Sequence, residues 1–217
     1  MNFDKIIKFL KDLQNNNSKL WMDANRDEYT MCRKDWIELN EDLIGYIYTM
    51  DPSIGFVDPK STLFRINRDI RFSHDKTPYN THFSTLVKRG GRDSQFAGYY
   101  VRLDRDGNVM IGGGLMDSDP GTLNNFRVYL NREDNALKFK KIFPIKTMDV
   151  WTENNLKRIP NQFKDSTCTD LMLYKSFIQS YTFKHKTKEQ TLKTIKEKLK
   201  KLKLFIEFIN IGVIDKL

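Results

Sequence analysis

Residues 98–115, GYYVRLDRDGNVMIGGGL, decide which kind of fold this chain makes. The two halves, 98–103 and 109–115, carry aromatic and β-branched residues and read as strands. Between them, Asp104-Arg105-Asp106-Gly107-Asn108 holds Asp-Gly and Gly-Asn steps, which tolerate the positive φ of a tight turn. The pair is therefore expected to be an antiparallel hairpin. Upstream, 63–66 and 81–87 read as two more strands around a turn-rich stretch in which Pro78 pushes Thr77 out of the helical region. On the first of them Phe64 and Ile66 would pack while Arg65 and Asn67 face the other way. No doubly wound alternation of strand and helix is present. The expected class is α+β, a largely antiparallel sheet packed with several amphipathic helices and ending in a long one.

Outward from the sheet the pattern turns helical. Residues 4–13 place Ile6, Ile7, Leu10 and Leu13 at helical spacing, with Phe9 off the stripe and Asn15-Asn16-Asn17 as a stop. Asp23 is expected to cap a longer helix carrying Tyr29, Cys32, Trp36, Leu39, Leu43, Ile47 and Met50, ended by Asp51-Pro52. Beyond the sheet, Leu123 to Leu130 mark a short helix and 135–143 another, stopped by Pro144. Residues 151–162 resist assignment, and 156–160 fit either a strand edge or a cover over a site. A helical turn at 170–174 precedes a strand at 175–183 with Phe177, Gln179, Tyr181 and Phe183 on one face. The clearest helix is 187–210, striped by Leu192, Ile195, Leu199, Leu202, Ile206 and Ile209 and supported by Glu189/Lys193 and Glu197/Lys201 pairs.

The 217 residues show no linker composition, so one domain is expected: a helical part at 1–52, a sheet-rich middle at 60–116 and a mixed part closing with the last helix. Hydrophobic residues at 39% and aromatics at 12% suffice for a packed core, which excludes a largely disordered chain. Formal net charge is +9, but much of the excess sits in the lysines of 184–203. Those lysines lack interleaved arginines and aromatics, so a solvated helix face explains them better than a nucleic-acid motif. Cys32 and Cys168, far apart, fit reduced thiols in a cytoplasmic protein. The N-terminal MNFDKIIKFLKDL breaks every apolar pair with charge, unlike a signal peptide, and no apolar run approaches the ~20 residues of a membrane span.

Chemistry concentrates in residues 64–83, FRINRDIRFSHDKTPYNTHF. Arg65, Arg68, Arg71 and Lys76, with Ser73 and Tyr79 as neutral donors and Arg92 from the next loop, form a candidate site for phosphate or carboxylate. Asp69 and Asp75 would orient the cations or act on a proton, and His82 is a candidate base. The alternative is that the arginines pair with Asp69 and Asp75 as a brace with no ligand. Asp69, His74, Asp75 and His82 match no metal-ligand spacing, so no metal is assigned and no cofactor is named. Ser73 has no G-x-S-x-G setting and Cys168 no identifiable His partner. At Trp21, Asn25 and Arg26 a packed indole with a capped helix start competes with a wall of a ligand site, and packing is favoured. Gly112-Gly113-Gly114 could cradle phosphate, but Asp117 and Asp119 would oppose an anion there, so close packing is the preferred reading.

Phe64-Arg65-Ile66, Arg68-Asp69, Arg71-Phe72-Ser73, Asp75-Lys76 and Pro78-Tyr79 resemble the pattern of a family of bacterial and fungal proteins known as a domain of unknown function. Trp21, Asn25, Arg26 and Tyr29, Gly98-Tyr99-Tyr100, Gly112-Gly113-Gly114, residues 156–163 and Lys175 extend the resemblance over most of the chain. His74 and Asn80 depart from it, since members often have lysine there. The resemblance implies a single α+β domain and no established activity. The expected function is binding of a small anionic molecule in an arginine-rich pocket, with catalysis left open. The alternative is a nucleic-acid-binding or scaffold protein using its basic surface.

Overall fold

Short polar residues placed where helices must begin set the frame of the N-terminal half. The computed structural model describes residues 1–116, 118–143, 149–150 and 155–215. Asn2 accepts from the Lys5 N–H and opens α1 (Phe3–Asn15), which buries Phe3, Ile6, Phe9, Leu10 and Leu13. Phe9 is thus part of the buried stripe, not outside it. Ser18, not Asp23, caps the next helix, α2 (Lys19–Ala24), and the chain breaks at Asn25 before α3 (Arg26–Met50). Asp23 lies inside α2, where it pairs with Lys19 and Arg26 at 2.6 and 2.7 Å. Asn25 turns its amide back to the Trp21 carbonyl, and the Trp21 ring packs on Phe9. This corner is architecture.

The sheet contains β1 (His82–Lys88), β2 (Gly98–Asp104), β3 (Asn108–Leu115), β4 (Asp149–Val150) and β5 (Phe177–Lys184), in the order β1-β2-β3-β5-β4 and antiparallel throughout. The β2–β3 turn forms as expected. Asp104 accepts from the backbone N–H groups of Asp106 and Asn108, and Gly107 takes a φ of 74°. Between the strands come α4 (Pro120–Leu130), capped by Asp119, α5 (Glu133–Ile142) and α6 (Thr169–Met172). Asp117, Pro144 and Trp151 lie outside the described residues. Residues 156–160 form no strand; the Leu156 N–H donates to the Leu173 carbonyl.

The final helix, α7 (Lys188–Ile214), lies across one face of the sheet and buries Ile195, Leu199, Leu202, Phe205, Ile206 and Ile209. Gly113 lets it approach: a Cβ there would stand 2.8 Å from Ile206 Cδ1. Asn210 clasps both backbone groups of Ala97, which fixes the helix to the start of β2. Among the described residues the ion pair along α7 is Lys203–Glu207 at 3.4 Å, and Glu189/Lys193 and Glu197/Lys201 do not close to ion-pair distance. Among the described residues no helix is long and apolar enough to cross a membrane.

Residues 55–81 contain no helix or strand, and connections of that length are commonly functional. The expected strand at 63–66 does not form. It is reduced to a bridge between Leu63 and Thr85, flanked by bonds from the Phe64 N–H to the Ser84 carbonyl and from the Leu86 N–H to the Thr62 carbonyl. The alternation also fails, because Leu63 and Ile66 are buried while Phe64 is exposed beside Arg65 and Asn67. Three buried polar groups anchor the segment. Asn40 donates to Thr62 Oγ1 and to the Pro59 carbonyl, and Thr85 Oγ1 donates to Asn40 Oδ1 at 2.9 Å. Farther on, the chain doubles back on itself: Asn80 N–H bonds to the Ile66 carbonyl and Arg68 N–H to the Pro78 carbonyl.

Candidate functional site

Strand alternation sends one set of side chains toward α7 and the other to the opposite face, and the antiparallel register stacks the second set in rows. One row reads Lys88, Gly98, Gly114, Ile178, and the next Leu86, Tyr100, Gly112, Ser180. Then come Ser84, Arg102 and Met110, and His82 follows beyond Ser84 on the edge strand. These residues, roofed at one side by Phe64, Arg65, Asn67, Arg68 and Asp69 and by Arg92 and Phe96, line a cleft of about 810 Å³. That is the size of a small-molecule site, and its walls are mostly apolar.

Glycines make up part of the floor, and two of them are demanded by their neighbours. Gly98 must be glycine, since a Cβ would meet Lys88 Cβ at 2.3 Å and the Val87 carbonyl oxygen at 2.6 Å. Gly114 has a φ of 135°, and a Cβ would fall on the Phe177 carbonyl. The preferred close-packing reading therefore describes Gly113 and Gly114.

The cations of the cleft fall into two kinds. Arg68 is spent on its own loop: it donates to Asp75 at 2.5 Å, to the Thr77 carbonyl at 3.1 Å, to the Thr77 hydroxyl and to Ser73 Oγ at 3.4 Å. Arg92 donates to the Leu63 carbonyl at 3.0 Å and lies over the Phe64 ring. Arg65, Lys88 and Arg102 have no hydrogen-bond or ion-pair partner among the described residues, and the one cleft carboxylate, Asp69, is held by Arg71. Burial pulls Lys88 below its usual range. Burial, and then the Arg102 charge beside it, lower the His82 pKa to about 4, with Asp104 partly opposing. His82 is therefore neutral at pH 7.

Of the residues expected to form the site, the structure brings Arg65, Arg68, Asp69 and Arg92 to the cleft. Arg71, Ser73, Lys76 and Tyr79 do not line it. Arg71 makes a two-pronged pair with Asp69 at an exposed position, and Lys76 Nζ donates to the Ile70 carbonyl. The Tyr79 ring is buried, and Asn17 clasps the Tyr79 N–H and carbonyl at 3.1 and 2.9 Å. Asp75 is held to about 2 by the Thr77 backbone and hydroxyl and then by Arg68. The four side chains weighed for a metal thus do not converge, and no cluster of three ligating side chains occurs among the described residues. Sequence reading did not gather Lys88, Arg102, Tyr100 and Met110. The signal for them was the two-residue period of 82–88 and 98–104, taken together with the register.

A second hollow, of about 740 Å³, lies between β5 and α7 and is lined by Lys184, Lys186, Lys193 and Lys198. Lys184 donates to the Asp106 carbonyl, and Lys198 covers the Tyr181 ring at 4.7 Å.

No curated protein and no solved structure matches this chain. The family described as conserved hypothetical protein, DUF2461, matches residues 5–208, and with nearly all of its length covered the chain belongs to that family.

Proposed function

We propose that the cleft binds a small molecule bearing a phosphate or carboxylate on an apolar body. The observation that carries this reading is the set of three unpaired cations, Arg65, Lys88 and Arg102, facing a space whose remaining walls are largely apolar. Arg102 is half-buried, and a guanidinium so placed is costly to leave without a partner, which an anionic ligand would supply; Arg65 is exposed and reaches the same space from the rim. Arg102 and Arg65 are the anion's partners in this reading, Arg92 stiffens the rim through Phe64, and the neutral His82 offers a proton acceptor at the edge. Arg68, Asp69, Arg71, Ser73, Lys76 and Tyr79 hold the roof.

The test is thermal unfolding of wild type and of the Arg65→Ala/Arg102→Ala double variant with nucleotides, sugar phosphates and carboxylates. A true ligand at 100 times its Kd adds about 2.7 kcal/mol of stability to the wild type and far less to the variant. Equal shifts in both proteins, or none with any anion, would remove the reading. The lysine-lined hollow favours a second reading, a polyanion surface. Neutralising Lys193 and Lys198 would weaken binding of a short nucleic acid if that reading holds, and would leave small anions alone.

A further inference from the structure

Among the glycines of the sheet, Gly112 is the one whose added Cβ would meet only ordinary contacts. Its φ lies outside the left-handed region, and a Cβ added there would meet the Gln179 carbonyl oxygen at 3.5 Å, Ser180 Cβ at 3.8 Å and Tyr100 Cβ at 4.0 Å, all ordinary van der Waals distances. Gly98 and Gly114 are forced by contacts with neighbouring backbone, Gly114 by its φ as well, and Gly113 gives the Ile206 side chain of α7 its close approach. A glycine inside a strand weakens the strand and packs nothing, so one that packing does not demand marks a place where something else approaches the backbone. The Cβ would sit beside Tyr100 and Ser180, both of which line the cleft, so the missing side chain is missing from the ligand's space.

The shape of that space indicates what approaches. Gly98 and Gly114 pair across two strands and Gly112 stands two residues along; Lys88 Cβ and the Phe177 carbonyl fill the side-chain space at the first two, so the window of bare peptide is centred on Gly112. Tyr100 borders it, with Phe64 edge-on to the Tyr100 ring at 6.2 Å, and Met110 adds a polarisable thioether next to Arg102. A thin planar ring can lie against exposed peptide groups at stacking distance, whereas a saturated ring or branched chain is too thick to use the window fully.

Building on the proposed anion site, we infer that the ligand is a planar aromatic compound carrying its phosphate or carboxylate on one edge. The ring rests on the peptide window at Gly112 beside Tyr100, and the anion reaches Arg102. Gly112 acts by leaving room, and Tyr100 is the residue that touches the ring.

The experiment compares probes that share an anion and differ in the ring: adenosine monophosphate against ribose 5-phosphate, and indole-3-acetate against acetate. Each is titrated calorimetrically into wild type, Gly112→Ala and Gly112→Val. The expected result is that in at least one pair the aromatic member binds wild type tenfold or more tightly than its partner. Both substitutions remove that preference, valine more completely, without lowering the unfolding midpoint. If ribose 5-phosphate or acetate binds wild type as tightly as its aromatic partner in both pairs, the aromatic inference falls and the anion site survives. A marked loss of stability in Gly112→Ala would show that the fold requires this glycine, which also overturns the inference. Binding of none of the four probes overturns the anion site together with it.

Discussion

The doubled-back segment around Arg68 and the cleft beside it are both rich in charge, and they use it in opposite ways. In the segment every cation is matched: Arg68 to Asp75, Arg71 to Asp69, Lys76 to the Ile70 carbonyl. Across the sheet face, Arg65, Lys88 and Arg102 have no such partner among the described residues, and His82 is pushed toward neutrality beside them. Arg65 and Arg68 are three residues apart in sequence and fall on different sides of this division. The dense motif is therefore a structure that must be held, and in the proposed reading binding falls to the cations that the structure leaves over. Strand register brings these together from separate stretches of chain.

The largest way to break the contrast is to remove the anchor that sets roof against floor. Asn40 is fully buried, and Asn40→Ala would take one partner each from Thr62, Thr85 and the Pro59 carbonyl, leave them only one another, and open a small cavity among them. The expected loss is about 3 kcal/mol in urea unfolding, with ligand binding falling as Arg65 loses its support. Arg102→Ala should do the reverse. Stability is expected to hold or rise, because a half-buried charge without a partner is removed, while anion affinity falls about 30-fold, the size of one charge-assisted hydrogen bond of about 2 kcal/mol.

His82 gives the contrast a pH dependence. Its folded pKa, about 4, lies below the ordinary 6.5, so the unfolded chain binds the proton more readily. The fold is unaffected by this group above pH 6.5, loses stability as pH falls from 6.5 toward 4, and changes no further below that. The loss, discounted for partial exposure, is on the order of 2 kcal/mol. Denaturant unfolding between pH 4 and 7 should show it in wild type and not in His82→Gln. In Arg102→Ala the loss should be smaller, because removing the neighbouring charge lets the His82 pKa climb back.

Local rules made most of the fold legible. The Asp-Gly turn between β2 and β3, the stripe of α7 and the alternation of Phe177, Gln179, Tyr181 and Phe183 are short-range patterns, and they form as read. The misreadings share a cause. Ser18 starts a helix before Asp23 can, and Leu63 finds one sheet partner where its pattern suggested a strand, because in each case a contact distant in sequence or a competing neighbour decides. The candidate site was legible only as a neighbourhood. Arg65 and Arg92 could be named from their segment, but pairing Arg102 with Ser84 on one side and Met110 on the other requires the register. Gly112 differs from Gly113 in what lies across from it, and from Gly114 in that and in backbone φ, neither of which the run of three glycines reveals.

The smallest expected effect is the sharpest test of the division. Arg71 occupies the middle of the densest run of charge, and by sequence it is as good a ligand residue as any. Its pair with Asp69 is exposed on both sides, and the guanidinium does not line the cleft. Such pairs contribute little to stability in water. Arg71→Ala is therefore expected to leave both the unfolding midpoint and the affinity for a cleft ligand unchanged within error. Asp69 is the one route by which Arg71 touches the site: freed from its partner, that carboxylate can turn on Arg65, which already lowers its pKa through charge. If Arg71→Ala weakens anion binding and Asp69→Asn/Arg71→Ala restores it, the segment is a source of competing charge for the cleft. If the single variant weakens binding and the double variant does not recover, Arg71 itself meets the ligand and the division between braced and free cations is wrong.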